Sequence, residues 1–422
     1  MDLAGFSAVL TPAGQALLAE AAGADLGDTG LLATTARLRA RHPAELVAAA
    51  LTQVRLRARA REKFGADADL MYFTPDGLEQ ATGAGVAALR ARRFAALAGP
   101  AAPGGTTGAT TGPAGDPAAP DPTGVLDLCC GIGGDLIALA RAGCAPTGID
   151  ADPLTVAVAR ANVAALGLAG GAAVRLGDVT AARPARHAAA FADPARRTAR
   201  GRVFDPRAYR PPLDAVLDLV SLAPGGCVKV APGIPYEAVP AGAEVEWISV
   251  RGEVKEAAIW LGALAGAVPR RATLLAGPSG ARGPATLTPD PGLGDAPVGP
   301  WRRYLYEPDG AVIRAHLVAE VAADVAGSLA DPRIAYITSD TLKTTPFATA
   351  YEIHDVLPFS VKRLRQALRT RRAGTVTIKK RGSAVDIERL RRDLRPAGPE
   401  RATVVLTRVG TDPVALLCTP VA

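Results

Sequence analysis

Apolar residues recur at helical spacing through residues 1–97. Leu46, Ala50 and Val54 are each four positions apart, so they fall on one face of a helix, and arginines occupy the other side. Pro43 precedes this run, at the position where helices commonly begin. The pattern predicts a long helix in the middle of this region.

A second helix is predicted after Thr74 and Pro75, because a capping residue followed by proline marks a helix start. Its apolar positions continue through Leu78 and Leu89. No strand-like alternation interrupts the region. Residues 1–97 are therefore predicted to form a small α-helical domain.

From residue 123 to residue 276, short apolar runs alternate with amphipathic helical segments. The predicted strands are VLDLCC, PTGID, AAVRLGD, AAAFADP and GGCVKVAP, followed by the closing pair AEVEWISV and EAAIWLGAL. Strands that alternate with helices predict an α/β fold, here a Rossmann-like sheet of seven strands with helices on both faces. The closing pair has no room for an intervening helix, so a terminal antiparallel hairpin is expected.

Two stretches lack residues that pack into a core. Residues 98–122 and residues 277–300 are rich in Gly, Pro, Thr and Ala, and both are predicted to be flexible linkers. The segment that follows, residues 301–422, mixes both kinds of pattern. Its predicted strands are IAYITS, TVTIKKRG, ATVVLTRVG and PVALLCTP, and its predicted helices are EVAADVAGSL, SVKRLRQALRTR and VDIERLRRDLR. It is expected to be an α+β domain.

Composition narrows the class of protein. Half of the residues are apolar, so global disorder is excluded. No run of about 20 apolar residues occurs, and no basic-then-apolar signal peptide opens the sequence, so we expect a cytoplasmic protein with no membrane partner. The five cysteines and four histidines show neither disulfide nor metal spacing, so no metal is expected. Nothing in the pattern specifies an oligomeric state.

Positive charge is concentrated in two runs. Residues 361–400 hold 13 Lys and Arg against 4 Asp and Glu, a local net charge of +9, whereas the whole chain carries +7. Eight arginines stand between Arg183 and Arg210, against two aspartates. Such runs are often solvated helix faces. Because these two runs account for the whole excess of positive over negative charge in the chain, a polyanionic partner is the favoured interpretation.

The strongest motif is a glycine turn between the first strand and the next helix. Asp127 lies on the strand, and Gly131, Gly133 and Gly134 follow it. Glycines let a ligand approach the backbone, and the helix directs its first amide groups toward it. A dinucleotide site would require a third spaced glycine where this chain has Leu136, which argues against nicotinamide cofactors.

Three further aspartates follow predicted strands. Asp150 ends the second strand, where a carboxylate accepts the paired hydroxyls of a ribose. Asp178 follows the third strand, where it suits a hydrogen bond to an adenine amino group. Either residue taken singly could equally be a helix cap or a turn residue. Asp193 and Pro194 follow the fourth strand, and Lys229 on the fifth strand is a weaker candidate that structural pairing would explain equally well.

This ordered set resembles the class I S-adenosylmethionine-dependent methyltransferases, and the wording DLCCGIGGD resembles the trimethylguanosine-synthase-related RNA methyltransferases. The resemblance implies that Asp127 and the glycine turn surround the methionine moiety of S-adenosylmethionine, that Asp150 holds the ribose, and that Asp178 and Val179 hold the adenine. The candidate cofactor-binding residues are Asp127, Cys129, Gly131, Gly133, Gly134, Asp135, Asp150, Asp178 and Val179.

By the same resemblance, the loop after the fourth strand holds the methyl acceptor. Amine-methylating relatives carry Asn, Asp or Ser there, then two prolines and an aromatic that stacks on the base. This chain keeps Asp193 and Pro194 but continues with Ala195 and Arg196. An arginine can stack on a base or bind a phosphate, and it can also simply cap a solvated loop. The candidate catalytic residues are Asp193, Pro194 and Arg196.

The C-terminal domain resembles a THUMP-like domain in the segments YEIHD and TIKKRG. The resemblance implies RNA binding through phosphate contacts, by shape and charge. The candidate RNA-binding residues are Lys362, Arg363, Arg365, Lys379, Lys380 and Arg381.

The sequence thus favours an S-adenosylmethionine-dependent methyltransferase that acts on RNA. Two alternatives stay open: a methyltransferase for a small metabolite or a protein, and an RNA-binding protein that keeps the cofactor without catalysis. The motifs do not specify the RNA, the base or the atom.

Overall fold

The computed structural model of the chain describes residues 1–24, 30–98, 121–196, 205–275 and 283–421. These residues form two compact units. The first contains Met1–Val230, Ile234–Ala243 and Ala258–Ala267, and the second contains Ala231–Gly233, Glu244–Ala257 and Val268–Ala422. Of the predicted linker 98–122, residues 99–120 lie outside the described residues, while Ala98 ends a helix and Asp121 and Pro122 begin a strand.

The N-terminal region is helical, as predicted. Its helices are α1 (Leu3–Leu10), α2 (Pro12–Ala22), α3 (Gly30–Arg39), α4 (Ala44–Phe64), α5 (Pro75–Gln80) and α6 (Ala84–Ala98). Side chains of Asp2, Thr11 and Thr74 cap α1, α2 and α5 by accepting a hydrogen bond from the backbone three residues on. Helix α4 confirms the long helix predicted after Pro43.

The second predicted helix is wrong in one respect, because it is broken into α5 and α6. The ammonium group of Lys63 donates hydrogen bonds to the carbonyl oxygens of Leu78, Glu79 and Ala81, at 2.7, 2.8 and 3.0 Å. Lys63 thereby binds carbonyl oxygens at the end of α5, which stabilises a helix terminus at this point.

The N-terminal helices share a core with the α/β part of the first unit. One apolar cluster joins Phe6 and Leu17 of the helices to Ile132 and Val158 of the α/β part. The buried Asn162 reinforces this junction, because its amide group accepts from the backbone N–H of Tyr72 (2.6 Å) and donates to the carbonyls of Tyr72 (3.1 Å) and Ile132 (2.9 Å). Residues 1–97 therefore pack as part of a larger unit.

The parallel sheet follows the predicted strands. Its strands in the first unit are β1 (Asp121–Leu128), β2 (Thr147–Asp150), β3 (Ala173–Leu176), β4 (His187–Ala192) and β7 (Gly225–Val230), with helices α7 (Gly134–Arg141), α8 (Pro153–Ala165) and α9 (Leu213–Val220) between them. The order is β7-β4-β1-β2-β3, and all neighbours are parallel. The strand order reverses between β1 and β4, so ligands are expected at the carboxyl ends of these two strands. Two short strands, β5 (Ala195–Arg196) and β6 (Tyr209–Arg210), pair with each other.

The closing hairpin of the prediction is present. Strands β8 (Glu244–Val250) and β9 (Glu253–Gly262) are neighbours. Arg251 and Gly252 join them with φ of 51° and 82°, the left-handed pair that a two-residue hairpin turn requires. The last half of β9, from Ala258, belongs to the first unit, where β9 follows β7 in the strand order.

The prediction that this hairpin is the last part of the sheet is wrong, because two further strands lie beyond β8. Strand β10 (Arg270–Leu275) pairs parallel with β8, and β11 (Pro284–Leu287) pairs antiparallel with β10. Strand β11 also lies inside the predicted linker 277–300. Residues 277–300 are poor in residues that favour strands, but β11 forms because it pairs with β10. Thr286 Oγ1 lies 3.2 Å from Thr273 Oγ1 across this pair.

The second unit has a sheet of its own, which confirms the predicted α+β domain. Its strands are β12 (Tyr304–Pro308), β13 (Ser328–Asp331), β14 (Ile334–Ser339), β15 (Ala348–Pro358), β16 (Ala373–Lys380), β17 (Glu400–Val409) and β18 (Asp412–Pro420), and its helices are α10 (Gly310–Arg314), α11 (Val318–Asp324), α12 (Val361–Thr370) and α13 (Ile387–Leu394). The order is β13-β14-β12-β15-β18-β17-β16, antiparallel except for β16 with β17.

Three of these strands were missed from sequence. Strands β12 and β15 carry polar residues that mask their pattern, and β13 lies where the sequence predicts the end of a helix. That helix stops at Asp324, because Ala326 takes a left-handed conformation (φ 49°) and Gly327 follows it. Helices α12 and α13 cover the sheet with buried leucines, Leu364 and Leu390 among them, that pack against Val404.

Candidate functional site

The glycine turn connects β1 to α7. Gly131 and Gly133 have φ of 56° and 90°, and Cys129 adopts φ 60°, a conformation that costs a non-glycine residue energy. A Cβ atom added to Gly131 would meet nothing within 4 Å, so its backbone faces open space. The turn therefore exposes backbone at the carboxyl end of β1, as the motif predicts.

Asp150 holds this turn in place from the end of β2. Its Oδ2 accepts a hydrogen bond from the backbone N–H of Gly131, and its Oδ1 accepts one from the N–H of Asp152, both at 3.0 Å. The structure thus brings Asp150 against the glycine turn, 19 residues away along the chain. A merely local role as a turn residue does not explain the contact with Gly131.

Asp127 is completely buried, and neither of its carboxylate oxygens has a hydrogen-bond donor among the described residues. Burial first, and then the charges of Asp135 and Asp193, raise the pKa of this carboxyl group well above its ordinary value, while Arg90 opposes them. A buried carboxylate without donors is costly, and a cationic ligand would relieve that cost.

The thiol of Cys129 shows how closely the predicted carboxylates converge. Burial raises its pKa to about 12, and the charges that add to this effect belong to Asp150, Asp193, Asp127 and Asp178. The charges of aspartates on or after four different strands therefore act on this thiol in the glycine turn. The raised pKa keeps the thiol protonated at neutral pH, which excludes a nucleophilic thiolate there.

Asp178 has a local structural role. Its Oδ1 accepts from the backbone N–H and the hydroxyl of Thr180, at 2.9 and 2.8 Å, and these bonds lower the pKa of the exposed carboxyl group. It caps the short 3₁₀ turn that begins with the buried Val179. The structure therefore shows the capping alternative, and an adenine contact stays a prediction.

Asp193 lies next to the glycine turn, because its backbone N–H donates to the carbonyl of Leu128 at 3.2 Å. Its Oδ2 accepts a hydrogen bond from Lys229 Nζ at 2.7 Å. Pro194 behind it is buried. Arg196 is exposed, with its guanidinium carbon 5.9 Å from the ring centre of Tyr209.

The sequence did not indicate one buried cation at the site. Arg90, on α6 and 1% exposed, forms an ion pair with Asp135 in the first turn of α7, and its guanidinium lies 4.6 Å from the ring centre of Phe191. Asp135 is thus held by the N-terminal helical region. Nothing in the sequence around Arg90 distinguishes it from the neighbouring surface arginines.

The predicted RNA-binding residues divide into two groups. Lys362 and Arg363 are exposed on α12. The other predicted residues have partners within the protein. Arg365 Nε donates to the carbonyl of Asp393 (3.0 Å), Lys380 Nζ donates to that of Val385 (2.9 Å), Lys379 Nζ pairs with Glu307 (2.5 Å), and the Arg381 guanidinium lies 5.3 Å from the Tyr336 ring centre.

Within the ranges that the structure describes, no helix is both long and apolar enough to cross a bilayer. No group of three or more His, Cys, Asp and Glu side chains in the same ranges is arranged to hold a metal ion.

Comparisons with known families agree with this architecture. Residues 125–192 match the family model "Methyltransferase domain", and residues 348–420 match the model "THUMP domain-like". Residues 2–60 match a "Domain of unknown function (DUF8688)". The switch-point glycine turn and the matched domain define the class: a methyltransferase with a Rossmann-like sheet.

Similarity along most of the chain then gives the family. The chain is 36% identical over 380 residues to "Uncharacterized S-adenosylmethionine-dependent methyltransferase" proteins of two Mycobacterium tuberculosis strains, CDC 1551 / Oshkosh and ATCC 25618 / H37Rv, covering 86% of this chain and 95% of each relative. It therefore belongs to this family of S-adenosylmethionine-dependent methyltransferases. The crystal structure of a "putative methyltransferase from Porphyromonas gingivalis W83" shares the fold, with a TM-score of 0.67, 22% identity, and coverage of 90% of this chain and 92% of that chain.

Proposed function

We propose that the protein methylates RNA, and that the Asp193-Pro194 loop positions the nucleophile. The supporting observation is a group of exposed cations on α12 and α13 of the THUMP-like domain. This group, the basic helical surface, consists of Lys362, Arg363, Arg369, Arg391 and Arg392. None of its members forms a salt bridge with a residue that the structure describes, so their charge is available to phosphates.

The site residues fit S-adenosylmethionine. The orphaned carboxylate of Asp127 suits the cationic amino group of the methionine moiety. The exposed backbone of Gly131 and the first turn of α7 border the same region. Asp150 would accept the ribose hydroxyls beside the turn that it holds, and Asp178 with Val179 would border the adenine.

The bound cofactor supplies an electrophilic methyl group on a sulfonium. The chain's own task would be to hold a nucleophile in line with that methyl group, in near-attack geometry. Asp193 would accept a hydrogen bond from the acceptor group at the switch point, and the hydrogen bond from its backbone N–H to Leu128 at the end of β1 supports this role. Arg196 is exposed two residues after Pro194, where it could contact a base or a phosphate.

The test uses RNA from cells in which the gene is deleted, incubated with S-adenosylmethionine that carries a tritiated methyl group. We expect the wild-type protein to label this RNA. Asp193→Ala should reduce the rate about 100-fold or more, because misplacing the nucleophile loses near-attack geometry. Cofactor affinity, measured by calorimetry, should change little. Asp218→Ala, which alters an exposed residue of α9, is the matched control and should label normally.

Two results would contradict the proposal. Label in the metabolite or protein fraction of the same cells, and none in RNA, would favour the metabolite or protein substrate. Tight RNA binding with no label in any fraction would favour a cofactor-binding protein without catalysis.

A further inference from the structure

The segment Leu78–Thr82, which comprises the last turn of α5 and the two residues after it, is held by two lysines. Lys63 Nζ binds the carbonyl oxygens of three of its residues, at 2.7 to 3.0 Å. Lys229 Nζ approaches the carbonyl oxygen of Gln80 at 3.5 Å and the hydroxyl of Thr82 at 3.0 Å. A loop whose carbonyls are bound in this way by ammonium groups has little freedom to move.

This segment packs directly on the glycine turn. A Cβ atom added to Gly134 would lie 3.5 Å from the carbonyl oxygen of Thr82 and 3.8 Å from Cβ of Ala81. A Cβ atom on Gly77 would lie only 2.4 Å from Cγ2 of Ile132, which is within the turn. The N-terminal helical region therefore contributes a wall of the cofactor site, with glycine on both sides of the contact.

Lys229 joins this wall to Asp193. Its ammonium group can donate three hydrogen bonds, and its acceptors include Asp193 Oδ2 at 2.7 Å, Thr82 Oγ1 at 3.0 Å and, more weakly, Gln80 O at 3.5 Å. The side chains of Lys229 and Asp193 are 15% and 28% exposed, so solvent screens their attraction only in part.

We propose that Lys229 is a positioning residue for methyl transfer, which fixes the Asp193 carboxylate toward the acceptor and anchors it to segment Leu78–Thr82. The N-terminal helical region thereby takes part in the reaction, as the support of this anchor. The inference rests on the proposed role of Asp193. It holds whether the methyl acceptor is RNA, a metabolite or a protein.

The charges around Asp193 give this role a measurable signature. Burial raises the pKa of the Asp193 carboxyl group, and Lys229 opposes that rise more than any other group. Asp135 raises the pKa, and Arg90 lowers it. Loss of the ammonium group should therefore raise the pKa of Asp193 further, so that the ionised form appears only at higher pH.

The first measurement needs no substrate. In protein labelled with ¹³C-carboxyl aspartate, the resonance that disappears in Asp193→Asn identifies Asp193. We expect its titration to move to higher pH in Lys229→Met and in Lys229→Gln, and to return toward the wild-type position in Lys229→Arg. Lys255→Met removes an exposed lysine that pairs with Glu253, and should leave the titration unchanged.

The second measurement is kinetic. With the labelled fraction as acceptor, Lys229→Met should lower kcat by about tenfold to hundredfold, because the carboxylate is no longer held in one geometry. The acid limb of the pH profile should move to higher pH, and the affinity for S-adenosylmethionine should stay within about twofold. Lys229→Gln keeps a hydrogen-bond donor without charge and serves as the test if Lys229→Met does not fold.

The outcomes separate the two proposals. If the wild-type protein labels no RNA, the RNA substrate is wrong, while the Asp193 titration still tests Lys229. If the titration and the acid limb are the same in Lys229→Met and Lys229→Gln as in wild type, Lys229 is only a structural residue. In that case any loss of rate should match the loss of folded protein.

Discussion

At the residue scale, the buried carboxyl group of Asp127 lowers the free energy of unfolding when it is ionised without a partner. The sequence puts a carboxylate on a central strand, and the described chain offers it no hydrogen-bond donor. Its raised pKa means that the folded protein holds the proton more tightly than the unfolded chain does. Stability of the cofactor-free protein should therefore fall as pH rises from the ordinary aspartate pKa through the raised folded value.

Asp127→Asn removes the buried charge and keeps the shape. At pH 8 we expect the cofactor-free variant to gain about 1–3 kcal/mol in the free energy of unfolding, measured by urea denaturation, because no charge is left unpaired. Calorimetry should show S-adenosylmethionine binding weakened by about 1.5–3 kcal/mol, the value of a charged hydrogen bond. The exposed Asp218 provides the control, Asp218→Asn. A variant that binds the cofactor normally would remove Asp127 from the site.

At the scale of elements, the packing of helices α12 and α13 determines which cations of the basic run 361–400 face solvent. The leucines of these helices turn inward against the sheet, and this leaves the basic helical surface outward. The cations that follow on β16 are different, because Lys379 is only partly exposed and paired with Glu307. The cations of the basic helical surface therefore have no salt-bridge partner among the described residues, whereas on β16 Lys379 is paired and Lys380 is exposed.

We expect the triple variant Lys362→Ala, Arg363→Ala and Arg369→Ala to bind RNA more weakly. The slope of log affinity against log salt should flatten by up to about 3 units if each side chain contacts one phosphate. The matched control replaces the same number of charges at Arg37, Arg41 and Arg61, exposed arginines that pair with Glu20 or Asp69.

That control should leave the slope unchanged, and neither triple variant should alter cofactor affinity. An unchanged slope in the α12 variant would show that this surface does not bind RNA. Filter binding across a series of salt concentrations, with one structured RNA, is sufficient for the comparison.

Within the first unit as a whole, the side-chain amides of two buried residues, Gln53 and Asn162, bond the backbone of two consecutive residues, Phe73 and Tyr72. Gln53 acts within the helical region, whereas Asn162 also contacts the glycine turn. Gln53 bonds the N–H and carbonyl of Phe73 within the helical region, at 3.0 and 2.8 Å. Asn162 bonds the same groups of Tyr72 and also the carbonyl of Ile132 in the glycine turn. The two side chains therefore form a matched pair.

We expect Asn162→Ala and Gln53→Ala each to lower the free energy of unfolding by about 2–3 kcal/mol or more, because buried backbone groups lose their partners. Only Asn162→Ala should also weaken S-adenosylmethionine binding, since it releases the glycine turn. Denaturation and calorimetry on both variants check this. Equal cofactor affinity in the two variants would show that the helical region does not support the turn.

The sequence by itself determined the elements with strong local signals. The alternation of apolar runs and helices, the left-handed glycines and the aspartates at strand ends specify the parallel sheet and its switch point, because each signal acts within a few residues. Parallel topology then brings the carboxyl ends of the strands together without further information, which is why Asp150 could be placed near Gly131 in advance.

Only the tertiary structure decided which charges meet. Arg90 lies 45 residues from Asp135, and Lys229 lies 147 residues from Thr82, so no periodicity links them. The same holds for Lys379 and Glu307, which pair although they are 72 residues apart. An RNA contact of Lys379 stays a prediction. These pairs depend on how whole helices and strands pack against one another. A charge that becomes buried needs a partner, and the packing determines which residue is near enough to be that partner.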